Sequence, residues 1–420
     1  MVASTDIKFY AHTNNNAPQL QNAYGSMINV LDACLVNGIN IGTVSSLTVL
    51  GTTVTVLFSS SHNLMQYQVI KITGASQPEF NGEHRILTVP NVQSVTFELA
   101  AAPSTTTATG TISASLPSLG WEKPFSSINL NGGGKAAYRS TNLLLPSRPF
   151  LRVVDELDPE YAATYAKYAK VGLIESMSGI DVFGGVQGPY DGAQPEKNWK
   201  STGSGSNVIN GWAKWYYARN NGYQVDASAD TSAPLNGDRT YYVVGNSDFF
   251  YILPSPSMDI VYSYIYGFGM FDSYDPDIDV YNNYLSSTLE VTAASVNSTK
   301  PDYTSLSSNT NNALILQRPI EQSPVCINAK TISISGLTAY GTGSIDYLES
   351  YSSTQRLCYA EVIILERVKT PRGKMPILFW NMQMSFNFAV LTDKNHMLLK
   401  IPVACRSGEN GSAIFHLGDR

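Results

Sequence analysis

Two stretches of this sequence crowd carboxylates closely enough to do chemistry. Asp272-Ser273-Tyr274-Asp275-Pro276-Asp277-Ile278-Asp279 puts four acids in eight positions, and calcium takes roughly six to eight oxygen ligands. An EF-hand loop needs glycine at its sixth position and glutamate at its twelfth. Neither is present, and Pro276 among turn-forming aspartates favours a rigid exposed turn. The second stretch holds Asp155, Glu156, Asp158 and Glu160, a candidate acid pair for glycoside hydrolysis. That reaction needs two carboxyls facing each other across a sugar, whereas acids this close in one segment read as a solvated loop. Trp199, Trp212, Trp215, Tyr216 and Tyr217 could stack on sugar C–H groups. As core and interface residues, with Trp212 and Trp215 to Tyr217 on one strand, they read better.

Other candidates are weaker. Gly203-Ser204-Gly205-Ser206 imitates a nucleophile elbow but lies in a polar loop with no strand before it. Gly132-Gly133-Gly134-Lys135 imitates a phosphate loop, yet Ala136 stands where a hydroxyl would bind magnesium, so a turn or mobile loop is expected. Arg367-Val368-Lys369-Thr370-Pro371-Arg372-Gly373-Lys374 reads as a basic loop at a strand end, able to meet an acidic surface. Cys34, Cys326, Cys358 and Cys405 lie far apart without a CxxC pair, which reads as buried free thiols of a reducing compartment. His12, His62, His84, His396 and His416 show no zinc spacing with them. The sequence therefore assigns no catalytic, cofactor-binding or metal-ligating residue and no cofactor, and it reads as a protein that is not an enzyme.

Which elements must hold these residues? Across 18–37, Leu20, Tyr24, Met27, Ile28, Leu31, Cys34 and Leu35 form one apolar helical stripe, stopped by Asn37-Gly38. From 44 to 115, alternating segments at 46–58, 67–72, 84–89, 95–99 and 108–112 predict five strands of a small β-barrel or sandwich inserted into a host domain. Around 158–171 the tyrosine spacing fits helix and strand alike. Aromatic-rich strands follow at 211–219, 239–244, 249–253 and 260–268, then a Ser/Thr/Asn-rich exposed section at 286–317. A last β unit runs through 325–336, 356–367, 377–381 and 397–405. The fold class is mainly β: a β-sandwich or barrel body with an N-terminal amphipathic helix and an inserted small β domain. Its divisions are 1–43 plus 116–320 for the host, 44–115 for the insert and 321–420 for the C-terminal unit.

Composition narrows the class. The 420 residues carry 27 Lys and Arg against 33 Asp and Glu, a net charge of −6, and only 14% of them are charged, below the ~25% of an average protein. No apolar run reaches the ~20 residues of a membrane helix, and no basic surplus suits nucleic acid. Hydrophobic content of 43% with 25 tyrosines excludes an extended disordered chain. Tyrosine-rich, weakly charged surfaces suit burial against other proteins. The opening residues Met1 to Asp6 show no signal peptide, so synthesis in the cytoplasm is expected.

Several segments stand in a recognisable order along the chain. Asn14-Asn15-Asn16-Ala17-Pro18 is followed by the stretch from Gly25 to Gly38. In order come Gly120-Trp121-Glu122-Lys123-Pro124-Phe125, Lys135-Ala136-Ala137-Tyr138-Arg139, Leu151-Arg152-Val153-Val154-Asp155 and Glu175-Ser176-Met177. Trp199-Lys200-Ser201, Tyr266-Gly267-Phe268-Gly269 and Arg372-Gly373-Lys374-Met375-Pro376 complete the series. Together these segments resemble structural proteins of tailed-bacteriophage virions, the first stretch being similar to the opening of such a family. Ser61-His62-Asn63, Val69, Gly74-Ala75 and Phe80-Asn81-Gly82 resemble a small β domain that recurs in phage tail proteins, with Asn63 where glycine is usual. The resemblance implies a tail or baseplate subunit, located in the virion, assembled with several copies of itself and other virion proteins, and carries over no catalytic residue. A host-glycan receptor-binding protein and a head-decoration or head–tail connector subunit are the alternatives.

Overall fold

The computed structural model describes residues 2–202, 209–220, 228–258, 262–289, 306, 314–331, 357–366, 370–382, 387–406 and 409–420. It is mainly β, and its named strand pairs are antiparallel. The Gly203 to Ser206 motif, most of 286–317, part of the basic run and the Cys405 side chain lie outside the described residues.

A 13-stranded sheet runs from Lys8–Ala11 through Tyr241–Gly245, Phe249–Pro254, Tyr266–Met270, Asn283–Ser286 and Leu314–Leu316. It continues through Ile327–Thr331, Tyr359–Glu366, Thr370–Asn381, Glu409–Asp419 and His396–Arg406 to Ala389–Asp393, and the thirteenth strand, Asp272–Ser273, pairs with Thr370–Asn381 off this path. The C-terminal strands thus extend the sheet begun at the N-terminus. Phe9, Tyr251, Trp380, Met397 and Phe415 share a core on one of its faces, and Phe388 stacks on Tyr242 with ring centroids 4.9 Å apart.

The central sheet orders Trp121–Ile128, Gly133–Ser140, Phe150–Glu156, Lys167–Gly179, Ala213–Ala218 and Thr288–Leu289, with Val182–Gly188 paired to Lys167–Gly179. Its inner face, including Leu151, Val153, Leu173 and Trp215, packs in one cluster with Phe250, Ile252 and Tyr266 of the long sheet. Trp215 donates its indole N–H to the Ser286 carbonyl at 2.8 Å and lies over Tyr266.

A third sheet is built wholly from residues between Ile39 and Leu116. The strand Ile39–Leu50 pairs with Gly110–Leu116 through its first half and with Thr53–Phe58 through its second. Gly82–Arg85 pairs with Val69–Ala75, and Thr88–Asn91 with Ser94–Glu98, and Gly82–Arg85 and Thr88–Asn91 are the ends of a seven-stranded path. The single strand expected at 46–58 is a hairpin, because Gly51 at φ 64° turns the chain. Asn63 sits at φ 48°, the left-handed region that asparagine adopts more readily than other side chains.

Arg85 fastens this small sheet to the long sheet. Its guanidinium donates to the carbonyls of Ser4, Tyr67, Ile7 and Leu417 at 2.7–3.0 Å. Burial pushes its pKa down to about 10. The Tyr67 ring is buried in the long sheet's core.

Helical backbone begins at Ser26 and ends at Asn37, an α turn to Leu31 followed by wider π turns. The helix expected from residue 18 is shorter because Gly25 takes φ 90° against Gly133, and Leu20 bridges Arg239 instead. Met27, Val30, Leu31, Cys34 and Leu35 are its buried apolar residues. Gly38 follows with φ 74°, where a Cβ would come 2.7 Å from the Leu116 carbonyl oxygen.

Candidate functional site

Strand geometry divides the acidic segment between two faces. Successive side chains point to opposite sides of a strand, so Arg152, Val154 and Glu156 face outward while Asp155 faces the core. Asp155 is fully buried. Its carboxylate accepts from the backbone N–H groups of Met27 (3.1 Å) and Ile28 (3.4 Å) and from the Tyr217 hydroxyl (2.6 Å). It caps the helix from a distant strand. Burial outweighs these hydrogen bonds and raises its pKa to about 6.

The outward face lines a cleft of about 580 Å³ with Lys135, Arg152, Glu156, Asp158, Glu160, Lys170, Asp181, Glu196, Trp199 and Lys200 among its walls. Register aligns Lys135, Val154 and Lys170 in one row across three strands. Lys170 donates to Asp158 (2.8 Å) and to the Trp199 carbonyl (2.7 Å), a pair in which both side chains are buried. Burial lowers the Lys170 pKa against the pull of Asp158. Lys135 reaches Asp181 at 2.8 Å.

Arg152 is the centre of the cleft. Its guanidinium lies 4.2 Å from the Trp199 ring and 4.9 Å from the Phe183 ring. It donates to the Ile180 carbonyl at 2.9 Å and to Asp181. Its Nη1 is buried and has no hydrogen-bond partner among the described residues. Gly172 permits this packing: a Cβ there would stand 2.6 Å from the Trp199 ring.

The aromatic candidates behave as core. Trp199 and Trp212 are 8% exposed, Tyr216 2%, and Trp215 and Tyr217 0%, so none offers a ring face to a sugar. Trp212 borders a second cleft of about 400 Å³ whose lining includes Tyr190, Pro324 and Cys326 but no ionised side chain. The Cys326 and Cys34 thiols are pushed well up by burial, and Cys34, Cys326 and Cys358 are free.

Three expectations are corrected. The stretch from Thr370 through Lys374 is strand rather than loop, and Arg372 is buried between Asp279 and Glu366. Asp279, the last acid of the calcium candidate, is thereby occupied, while Asp275 and Asp277 are exposed. Gly133 and Gly134 begin a strand instead of a mobile loop. A Cβ at Gly133 would meet the Asp155 carbonyl oxygen at 1.9 Å, so the glycines serve close backbone packing. The ambiguous 158–171 is a turn leading into the strand Lys167–Gly179.

Among the histidines, His84 stacks on Phe97 at 3.9 Å and His62 is buried with its Nδ1 accepting from the Leu64 N–H. Burial lowers the pKa of both, and of His12. The structure brings His396 and His416 together, a meeting that spacing does not signal.

No protein-family profile matches the sequence, and no curated protein matches it. Among solved structures, the chain is similar to the Phage phi92 endosialidase at 10% identity and a TM-score of 0.16. The similarity covers 91% of this chain and 52% of that one. At such a score the two folds do not superpose.

Proposed function

We propose that the chain is a non-enzymatic structural subunit of a bacteriophage virion, of tail or baseplate, working through protein–protein contacts. In this reading a β-sandwich body carries 44–115 as an inserted module and the C-terminal strands as a packed extension. The observation that supports it most is the rim of the central sheet. Among the described residues, Trp121–Ile128 pairs on one side only. Exposed apolar groups flank it: Ile128 (89%) and Leu130 (100%) at one end, Leu143 (77%) and Leu144 (92%) at the other. An open strand edge with exposed leucines is a surface that another chain covers. Pro124, which lacks an N–H, sits on that edge strand.

The test is mass spectrometry with immunogold labelling of purified particles. A fixed copy number on the tail is expected; absence from the particle overturns the proposal.

A second reading is supported by the Arg152 cleft. Its walls carry carboxylates and amines together, Glu156, Glu160 and Lys200 among them, which suits a polyhydroxylated ligand, so this reading is a receptor-binding virion protein that takes surface glycan. Glycan-array binding abolished by Arg152→Ala in a folded variant would favour it, and no binding to host envelopes would remove it.

A further inference from the structure

The C-terminal hairpin contains a histidine cluster that a regular strand pair could not make. His416 and Asp419 are three residues apart on one strand, which in regular pleating puts them on opposite faces. Register shows why they meet here. His396 pairs with Asp419 and Met397 with Gly418, but Leu398 pairs with His416, leaving Leu417 as an extra residue. This β-bulge, with Gly418 at φ 122°, turns His416 onto the face of His396 and Asp419. Bulges commonly re-aim side chains in this way.

Three potential ligand atoms converge as a result. His396 Nδ1 lies 2.7 Å from Asp419 Oδ1 and 3.1 Å from His416 Nε2, and His416 Nε2 lies 3.1 Å from Asp419 Oδ1. A zinc ion binds imidazole and carboxylate at about 2.0–2.1 Å in a tetrahedron, which spaces its ligand atoms about 3.3–3.4 Å apart. The triangle therefore needs to widen only by tenths of an ångström. Side chains can supply that, because His396 and Asp419 are 41% and 65% exposed.

We propose that His396, His416 and Asp419 form a binding site for a divalent transition-metal ion, with zinc the best fit. The carboxylate is a hard oxygen ligand, but the two imidazoles are borderline nitrogen ligands, and as the majority they suit zinc, nickel, cobalt or copper rather than calcium or magnesium. Three protein ligands leave a fourth position open to water. Bound there, the ion clips together the strands His396–Arg406 and Glu409–Asp419 at their outer end.

Titration of the metal-free full chain with Zn2+ alone, followed by calorimetry, tests the site. One ion per chain is expected, with a raised melting temperature. Co2+ should give visible absorption bands of nitrogen and oxygen ligation. His396→Gln and His416→Gln, which keep side-chain bulk, should each weaken Zn2+ binding more than about tenfold, and Ca2+ should not compete. Circular dichroism confirms that the variants fold. No Zn2+ uptake, undiminished affinity in both variants, or displacement by equimolar Ca2+ overturns the proposal.

Discussion

Arg372 and Asp279, 93 residues apart, form a two-pronged buried ion pair, Nε to Oδ2 at 2.9 Å and Nη2 to Oδ1 at 2.6 Å. The same guanidinium reaches Glu366 at 2.5 Å and the Arg318 carbonyl at 2.6 Å. A run of basic residues and a run of acids, each reading alone as an exposed loop, thus meet in the interior. Burial acts to lower the Arg372 pKa, but the bonds to the two carboxylates prevail and raise it.

Arg372→Ala strips two buried carboxylates of their cation. Breaking one side of such a group costs about 3–5 kcal/mol, and the urea midpoint should fall accordingly. Arg372→Met should be equally poor, since it restores volume without charge. A loss below about 1 kcal/mol would show the pair to be solvated.

Asp155 makes stability depend on pH. Its folded pKa, raised to about 6, means the folded chain holds a proton that the unfolded chain releases from about pH 4 upward. The group's contribution is therefore present in acid and is lost as pH rises through 6. Asp155→Asn should remove that part of the pH dependence, measured as urea midpoints between pH 4 and 6. An unchanged slope would refute the assignment.

Arg85 gives up four carbonyl hydrogen bonds when replaced. Arg85→Ala should loosen the small sheet from the long sheet before the rest unfolds, with a loss of about 3 kcal/mol or more from the buried acceptors left unpaired. Hydrogen exchange should rise first at Tyr67 and Ile86, whose N–H groups bond to the Ile86 and Gln68 carbonyls. Uniform acceleration over the whole chain would mean that the small sheet has no separate stability.

Leu130→Asp and Leu144→Asp probe the sheet rim. Both side chains are in solvent, so the melting temperature of the isolated chain should shift little. Incorporation into particles, measured by complementation and quantitative mass spectrometry, should drop at least tenfold for one of them. Normal incorporation of both would exclude that rim as the contact.

Gly172 links fold and cleft. Gly172→Ala would drive its Cβ into the Trp199 ring, so the indole must leave the Arg152 guanidinium. Overpacking of this kind costs about 1–3 kcal/mol, and Trp199 fluorescence should shift to the red. An unshifted spectrum would show that the sheet yields instead.

The sequence by itself determined the β-rich class, the short strands between residues 44 and 115, and the helix stop at Gly38. These follow from short-range physics: side-chain period, turn chemistry and the freedom of glycine act over a few residues. The aromatic segment 211–219 was likewise legible as core. Only the tertiary structure decided which polar groups meet. Asp155 and Glu156 are neighbours in sequence, yet one caps a helix in the core and the other lines a cleft. Arg152 gained its ring partner through the absence of a side chain at Gly172, and Asp279, between strands, lost its solvent to an arginine on the strand Thr370–Asn381. His416 and Asp419 came together through one extra residue at Leu417. Strand register between distant segments sets such meetings, and a single-residue slip reverses every facing, so no local spacing could carry them.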